Sequence, residues 1–194
     1  MEAMQAVQIY GLFAYVSAAA TIVTLITGFL FFVVSPSYGK LNDASSVFQV
    51  LSMIPLAALF YQLLPPSLRV LGLFTALLGL SGLLVSAFGQ SLLVLDRIDY
   101  EGSRRFFPAG AAAGIWLILS CSFAAGSGYM PQLLALLGIV AGIGFVTTVI
   151  GFLGGEELNI LFYGGALLLG LSYPIWALWF GYILVFDTMN IPLG

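Results

Sequence analysis

Residues 7–34 read VQIYGLFAYVSAAATIVTLITGFLFFVV, a run without a single charged side chain. An α-helix rises about 1.5 Å per residue, so roughly 20 apolar residues cross the hydrocarbon core of a bilayer. This run is long enough, and it ends in Ser35-Pro36-Ser37-Tyr38-Gly39, a cluster of turn-forming residues. Barrel strands alternate apolar and polar positions over about 10 residues. Here apolarity is continuous, so the run predicts a membrane-spanning helix. The residues before Val7 contain Glu2 and no Lys or Arg, whereas a cleavable signal needs a positive leader. The segment is therefore expected to be a retained first helix.

Working outward, the same pattern recurs five times. A second run, at 44–64, is closed by Pro65-Pro66, which cannot continue a helix. A third covers 68–95, with Arg69 placed to reach the headgroups. The polar connector from Asp96 to Arg105 precedes a fourth run at 106–125, left through Gly126-Ser127-Gly128. The fifth, 131–153, ends at Gly154-Gly155, and the sixth is 158–186. The expected fold class is all-α: a polytopic transmembrane helical bundle of about six helices with short loops, forming one domain over residues 1–194. The prolines inside helices, Pro55 and Pro174, fall in the second and sixth runs, which does not match a three-plus-three repeat.

Composition agrees. Hydrophobic residues make up 61% of the 194 and charged residues 7%, with a mean hydropathy of +1.13. A soluble domain is about 25% charged; five basic and eight acidic side chains cannot hydrate a soluble surface of this size. The chain has no histidine and one cysteine, Cys121, which removes disulfides, thiolate clusters and the commonest zinc and haem ligand. No metal and no cofactor are expected. The net charge of −3 argues against nucleic acid as a partner. Membrane lipid is the expected surrounding, with the chain itself or other membrane subunits as neighbours. Repeated small-xxx-small spacings, such as Gly110/Gly114, Gly138/Gly142, Gly151/Gly155, Ala166/Gly170 and Ala14/Ala18, suit close helix packing within the bundle or at an oligomer seam.

The charges are lopsided. With six spans, Lys40, Asp43, Asp96, Arg97, Asp99, Glu101, Arg104, Arg105, Glu156 and Glu157 share one face, while Glu2, Arg69 and Asp187 share the other. None lies deep in a span, which argues against proton pumping, ion-coupled transport and voltage sensing. Four basic residues against one favour the charged face in the cytoplasm of a cell membrane. The remaining intramembrane polarity consists of Gln49, Gln62, Gln90, Thr21, Thr24, Thr27, Thr75, Ser81, Ser86, Ser120, Ser122, Thr147, Thr148 and Ser172. Hydroxyls can back-bond to their own helix, so most of these are expected to be structural.

Three places stand out as candidate sites. Tyr173, Trp176 and Phe180 fall on one stripe of the last helix, with Trp179 beside it, a surface on which a quinone, carotenoid or lipid could stack; an aromatic belt around the Pro174 kink is the simpler reading. Glu156 and Glu157 follow two glycines and, with Asp43 and Asn159, could hold a cation or amine. Adjacent helix residues do not converge on one ligand, however, and carboxylates suit a helix start. The connector Asp96–Arg105 could dock a partner or be a solvated loop with weak ion pairs.

The last helix also carries a resemblance. Leu171-Ser172-Tyr173-Pro174-Ile175-Trp176-Ala177-Leu178-Trp179-Phe180-Gly181 resembles the final-helix pattern of small, uncharacterised six-helix bacterial integral membrane proteins. Leu41-Asn42-Asp43 before an apolar helix containing Pro55 is similar to the same group, so the resemblance spans the chain. It implies a bundle in a bacterial cell membrane and carries over no site residues. One departure is Tyr182, where that group has arginine after the glycine. Three functions follow in order of fit. The first is a non-enzymatic structural or accessory bundle holding a lipid-like or pigment ligand. The second is a substrate-capturing transport protein, since Ala14/Ala18 is similar to the docking motif of six-helix vitamin-importer subunits. The third is a lipid-directed enzyme using Asp43, Glu156 and Glu157.

Overall fold

The computed structural model describes residues 2–155 and 159–186, with side chains from residue 7 onward. Its long elements are α1 (Glu2–Val33), α2 (Gly39–Leu63) and α3 (Arg69–Val94). A single helical turn, α4 (Tyr100–Ser103), precedes α5 (Pro108–Gly126), α6 (Gln132–Gly154) and α7 (Asn159–Phe186). Apart from α4, all are long and apolar enough to cross a membrane, which makes six spans among the described residues. The chain is an all-α, multi-pass membrane bundle.

The breaks have local causes. Leu64, immediately before Pro65, is extended (ψ 139°) because the proline ring clashes with a helical predecessor. Ser35 caps a 3-10 turn over Pro36–Tyr38, its Oγ accepting from the Ser37 amide at 3.3 Å. Between α5 and α6 the chain reverses at Gly128, and α6 terminates at Gly155. Both have positive φ, 75° and 67°, where a side chain would be strained.

The connector from Asp96 to Arg105 is more ordered than a solvated loop. Asp99 Oδ1 accepts the Gly102 amide at 2.7 Å, capping α4, and a 3-10 turn over Arg104–Phe106 leads directly into α5. Asp96 itself is held at φ 52°, and its carboxylate pairs with Lys40 Nζ at 2.5 Å. That pair joins the α1–α2 turn to the connector. Arg104 lies 5.7 Å from the Phe152 ring centroid near the end of α6, so the three breaks meet at one charged end of the bundle.

Each long helix packs against its chain neighbours, and α7 returns to α1, so six antiparallel helices close a ring. In lipid there is no hydrophobic drive between helices, and association depends on close backbone approach. Gly114 and Gly142 face each other across α5 and α6: a Cβ on Gly142 would lie 2.6 Å from the Gly114 carbonyl oxygen, and one on Gly114 2.7 Å from that of Gly142. Gly11 and Gly181 are reciprocal in the same way across α1 and α7, at 3.0 Å each. Ala14 and Ala18 are fully buried. These small residues are used inside the bundle. Large apolar side chains such as Phe48, Phe74, Phe88 and Ile160 cover the outside.

Gly142→Val is therefore expected to lower the thermal unfolding midpoint in detergent micelles, at a cost of about 1–3 kcal/mol or more from overpacking against backbone. Gly164→Ala, where a Cβ meets nothing within 4 Å, serves as the control and is expected to lose no stability. Equal midpoints for the two variants would refute the tight seam.

Candidate ligand-binding cavity

The ring has a different filling at its two ends. Away from the charged end, the interior is an aromatic plug. Phe60 from α2 stacks on Trp176 (centroids 6.1 Å, planes 16° apart) and on Phe180 (5.4 Å, 22°), and meets Trp116 of α5 edge-on at 5.9 Å. Trp176 and Phe180 stack on each other at 5.2 Å. Tyr173 completes the group and donates its hydroxyl to Ser17 Oγ at 3.0 Å, linking α7 to α1. All five rings are buried. Gly138 makes room for Cys121 and Trp176: a Cβ there would sit 2.8 Å from the indole nitrogen.

The aromatic stripe of α7 therefore faces inward. Tyr173, Trp176 and Phe180 are brought together, with their faces occupied by one another and by Phe60, while Trp179 is half-buried beside them. None of the four lines the cavity described next.

Toward the charged end, the ring surrounds a half-open cavity of about 600 Å³. The α4–α5 connector covers it with Phe106 and Phe107, and Phe145 of α6 separates it from Tyr173 of the plug, 6.3 Å away. Its walls are unequal. From α2 come Asn42, Ser46 and Gln49, spaced i, i+4, i+7 on one helix face; from α3 come Ser86 and Gln90, one turn apart. The α1 and α7 side carries Leu25, Phe29, Phe32, Phe162, Leu167 and Leu169. Among the described residues, no charged side chain lines the cavity.

Most of its hydroxyls are already satisfied. Thr21 donates to the Ser17 carbonyl at 2.8 Å and Thr148 to that of Gly144 at 2.7 Å, as back-bonding leads one to expect. Ser46 donates to the Asn42 carbonyl at 2.9 Å, and Thr24 to Ser45 Oγ at 2.8 Å. The glutamines differ: among the described residues neither side chain bonds back to its own helix. Gln49 is only 6% exposed, and beyond the helix ladder it contributes its backbone carbonyl alone, which accepts from Ser52 Oγ at 2.8 Å. Gln90 Oε1 is buried without any donor.

Asp43 sits half-buried one position from Asn42, turned off the lining face, and does not line the cavity. Glu156 and Glu157 lie outside the described residues. In the connector, Arg104 pairs with Glu101 at 3.3 Å, one helical turn away on the exposed surface. Among the described residues, no three of His, Cys, Asp and Glu gather in a way that could hold a metal ion. The cavity residues were present in the sequence as scattered intramembrane polarity; the signal that marks them is the Asn42/Ser46/Gln49 spacing, together with amides that do not back-bond. No protein-family model matches the chain, and no curated protein or solved structure is significantly similar to it. What the cavity can hold is thus a matter of its own chemistry.

Two substitutions test the plug. Phe60→Ala, which removes the ring shared by Trp116, Trp176 and Phe180, is expected to cost about 3–5 kcal/mol. Tyr173→Phe, which deletes one hydrogen bond, is expected to cost about 1 kcal/mol. Thermal unfolding in detergent ranks them; a Phe60→Ala variant as stable as the parent would contradict the stacked core.

Proposed function

We propose that the chain is a non-enzymatic membrane protein that holds a neutral, lipid-like ligand within its helical ring. The observation that carries this reading is the half-open cavity of about 600 Å³, lined among the described residues by apolar, hydroxyl and amide groups and by no charge. Ligand sites commonly occupy about 300–1,000 Å³ and combine an apolar wall with a few placed polar groups. An ion or a charged metabolite would lose its hydration there and gain no counter-charge. A membrane enzyme would need an acid, base or nucleophile at the reacting atoms. Among the described residues the lining itself supplies hydroxyls and amides but no histidine, carboxylate or amine, Asp43 lying beside Asn42 just off the lining.

The vitamin-importer alternative gains no support from α1, because Ala14 and Ala18 are buried within the bundle and cannot dock a partner. The resemblance to small bacterial membrane proteins supports a bacterial cell membrane as the location, and the excess of basic residues supports the charged end in the cytoplasm.

Native mass spectrometry from mild detergent, with extraction of bound small molecules, tests the ligand. One stoichiometric neutral adduct is expected, lost in Ala166→Trp, which fills the cavity from its α7 wall. Absence of any adduct, or an adduct unaffected by that substitution, would overturn the reading. Orientation is tested with an impermeant maleimide on intact bacterial cells, Cys121 being buried and protected. Ser67→Cys is expected to label at once and Lys40→Cys only after permeabilisation; the reverse pattern inverts the topology.

A further inference from the structure

Resting on the ligand-holding reading, the geometry points to a more specific occupant and a route. We propose that the ligand is a neutral amphiphile with a hydroxyl or amide head. It passes from the bilayer between α1 and α7, and its head binds Gln49 and Gln90.

The head is argued from the unpaired groups. A glutamine amide offers two donors and an acceptor. Among the described residues, the buried Gln49 makes no side-chain hydrogen bond, and Gln90 Oε1 is a fully buried oxygen without a donor. A ketone, ester or ether only accepts, and leaves Gln90 Oε1 as it is. A carboxylate cannot donate to it either, and would be desolvated without a counter-ion. A hydroxyl or a primary or secondary amide both donates and accepts, matching both side chains. These glutamines belong to the α2–α3 wall, while the α1 and α7 side is mainly aromatic and aliphatic, with its Thr21 hydroxyl bonded to its own helix. Head and tail of one amphiphile thus have separate places.

The route is argued from exposure and from the closing seam. The lining residues that also reach the outer surface are Phe29, Phe32, Val33, Tyr163 and Leu167, all on α1 and α7, each more than half exposed. Lining residues on α2 and α3 are buried or half-buried. Along the α1–α7 seam, the tight contacts lie toward the other end: Gly11 on Gly181, Ser17 bonded to Tyr173, and Leu25 against Gly170. Nearer the charged end, Phe32 bridges the seam by ring edges, 6.4 Å from Phe162 and 6.0 Å from Tyr163. Aromatic side chains swing by rotamer change, whereas glycine-mediated backbone contacts do not. The seam is therefore held by backbone contacts at one end and by movable rings at the other, near the charged ends of α1 and α7.

The test uses the full chain reconstituted in phosphatidylcholine vesicles and three photoreactive probes of equal length carrying a mid-chain diazirine: hexadecanol, hexadecanoic acid and hexadecane. Labelled residues are mapped by peptide mass spectrometry. Hexadecanol is expected to label Phe145 and Leu169 roughly ten-fold more than hexadecane does, the size of effect that one or two buried hydrogen bonds produce. Excess unlabelled hexadecanol should compete. Gln49→Leu/Gln90→Leu should abolish the preference, and Gln90→Met, which keeps the chain length, replaces the double variant if that fails to fold. A bismaleimide joining Phe32→Cys to Tyr163→Cys should block interior labelling while leaving surface labelling intact. Equal labelling by alcohol and hydrocarbon, or stronger labelling by the acid, overturns the head assignment. Interior labelling undiminished by the cross-link overturns the route. Either failure leaves a native adduct in place if the ligand-holding reading is sound, whereas loss of that adduct as well removes the foundation of both.

Discussion

Backbone amides and carbonyls in hydrocarbon have no water to bond, and every other feature of this molecule follows from that. Each span must be a helix that satisfies its own main chain. Once it has done so, apolar side chains gain nothing by leaving lipid for another helix. What holds six such helices together is how closely their backbones can approach. Gly114 against Gly142 and Gly11 against Gly181 supply that closeness, carbonyl to Cα, along two of the seams. The same demand explains why hydroxyls are tolerated in the spans, since Thr21, Thr75, Thr148 and Ser172 return their protons to carbonyls of the preceding turn.

A ring of six helices leaves an axis to be filled, and the chain fills half of it. Phe60, Trp116, Tyr173, Trp176 and Phe180 are large and flat enough to occupy the space at one end, and the Tyr173–Ser17 bond links that plug to the first helix. At the other end, smaller lining residues such as Ser46, Ser86 and Ala166 face inward, and the volume stays open under the connector. The two buried glutamines lie in that second half. An amide costs more than a hydroxyl to hold there, because it is not satisfied by its own helix. Their position on the α2–α3 wall, with Phe29, Phe32 and Phe162 on α1 and α7, gives the cavity a more polar and a more apolar side.

The spans were legible in the sequence because a charge-free run is a one-dimensional property. The helix Gln132–Gly154 was expected at 131–153. The connector was not read as helical, since the Asp99-to-Gly102 cap looks like any polar loop until its geometry is seen. The stripe of Tyr173, Trp176 and Phe180 was visible as a face of one helix. Which way that face turned was not, because lipid and protein core are equally apolar and periodicity cannot tell them apart. The cavity was hidden for a related reason. Its lining draws on residues more than a hundred positions apart, and their meeting depends on the closure of α7 onto α1, which no local pattern encodes.

That closure also has a consequence for biogenesis. Helices leave the ribosome in order, and α2, α3, α5 and α6 each find a finished neighbour when they emerge. The first helix finds only one. Its second flank, with Gly11, Ala14, Ser17 and Leu25 prepared for α7, stays in contact with lipid until the last span has been made. A chain interrupted before Asn159 would therefore present small and hydroxyl-bearing residues to the bilayer, a surface that invites mispairing and recognition by membrane proteases. The interior is assembled in a single late step, so completion of synthesis and formation of the binding chamber coincide.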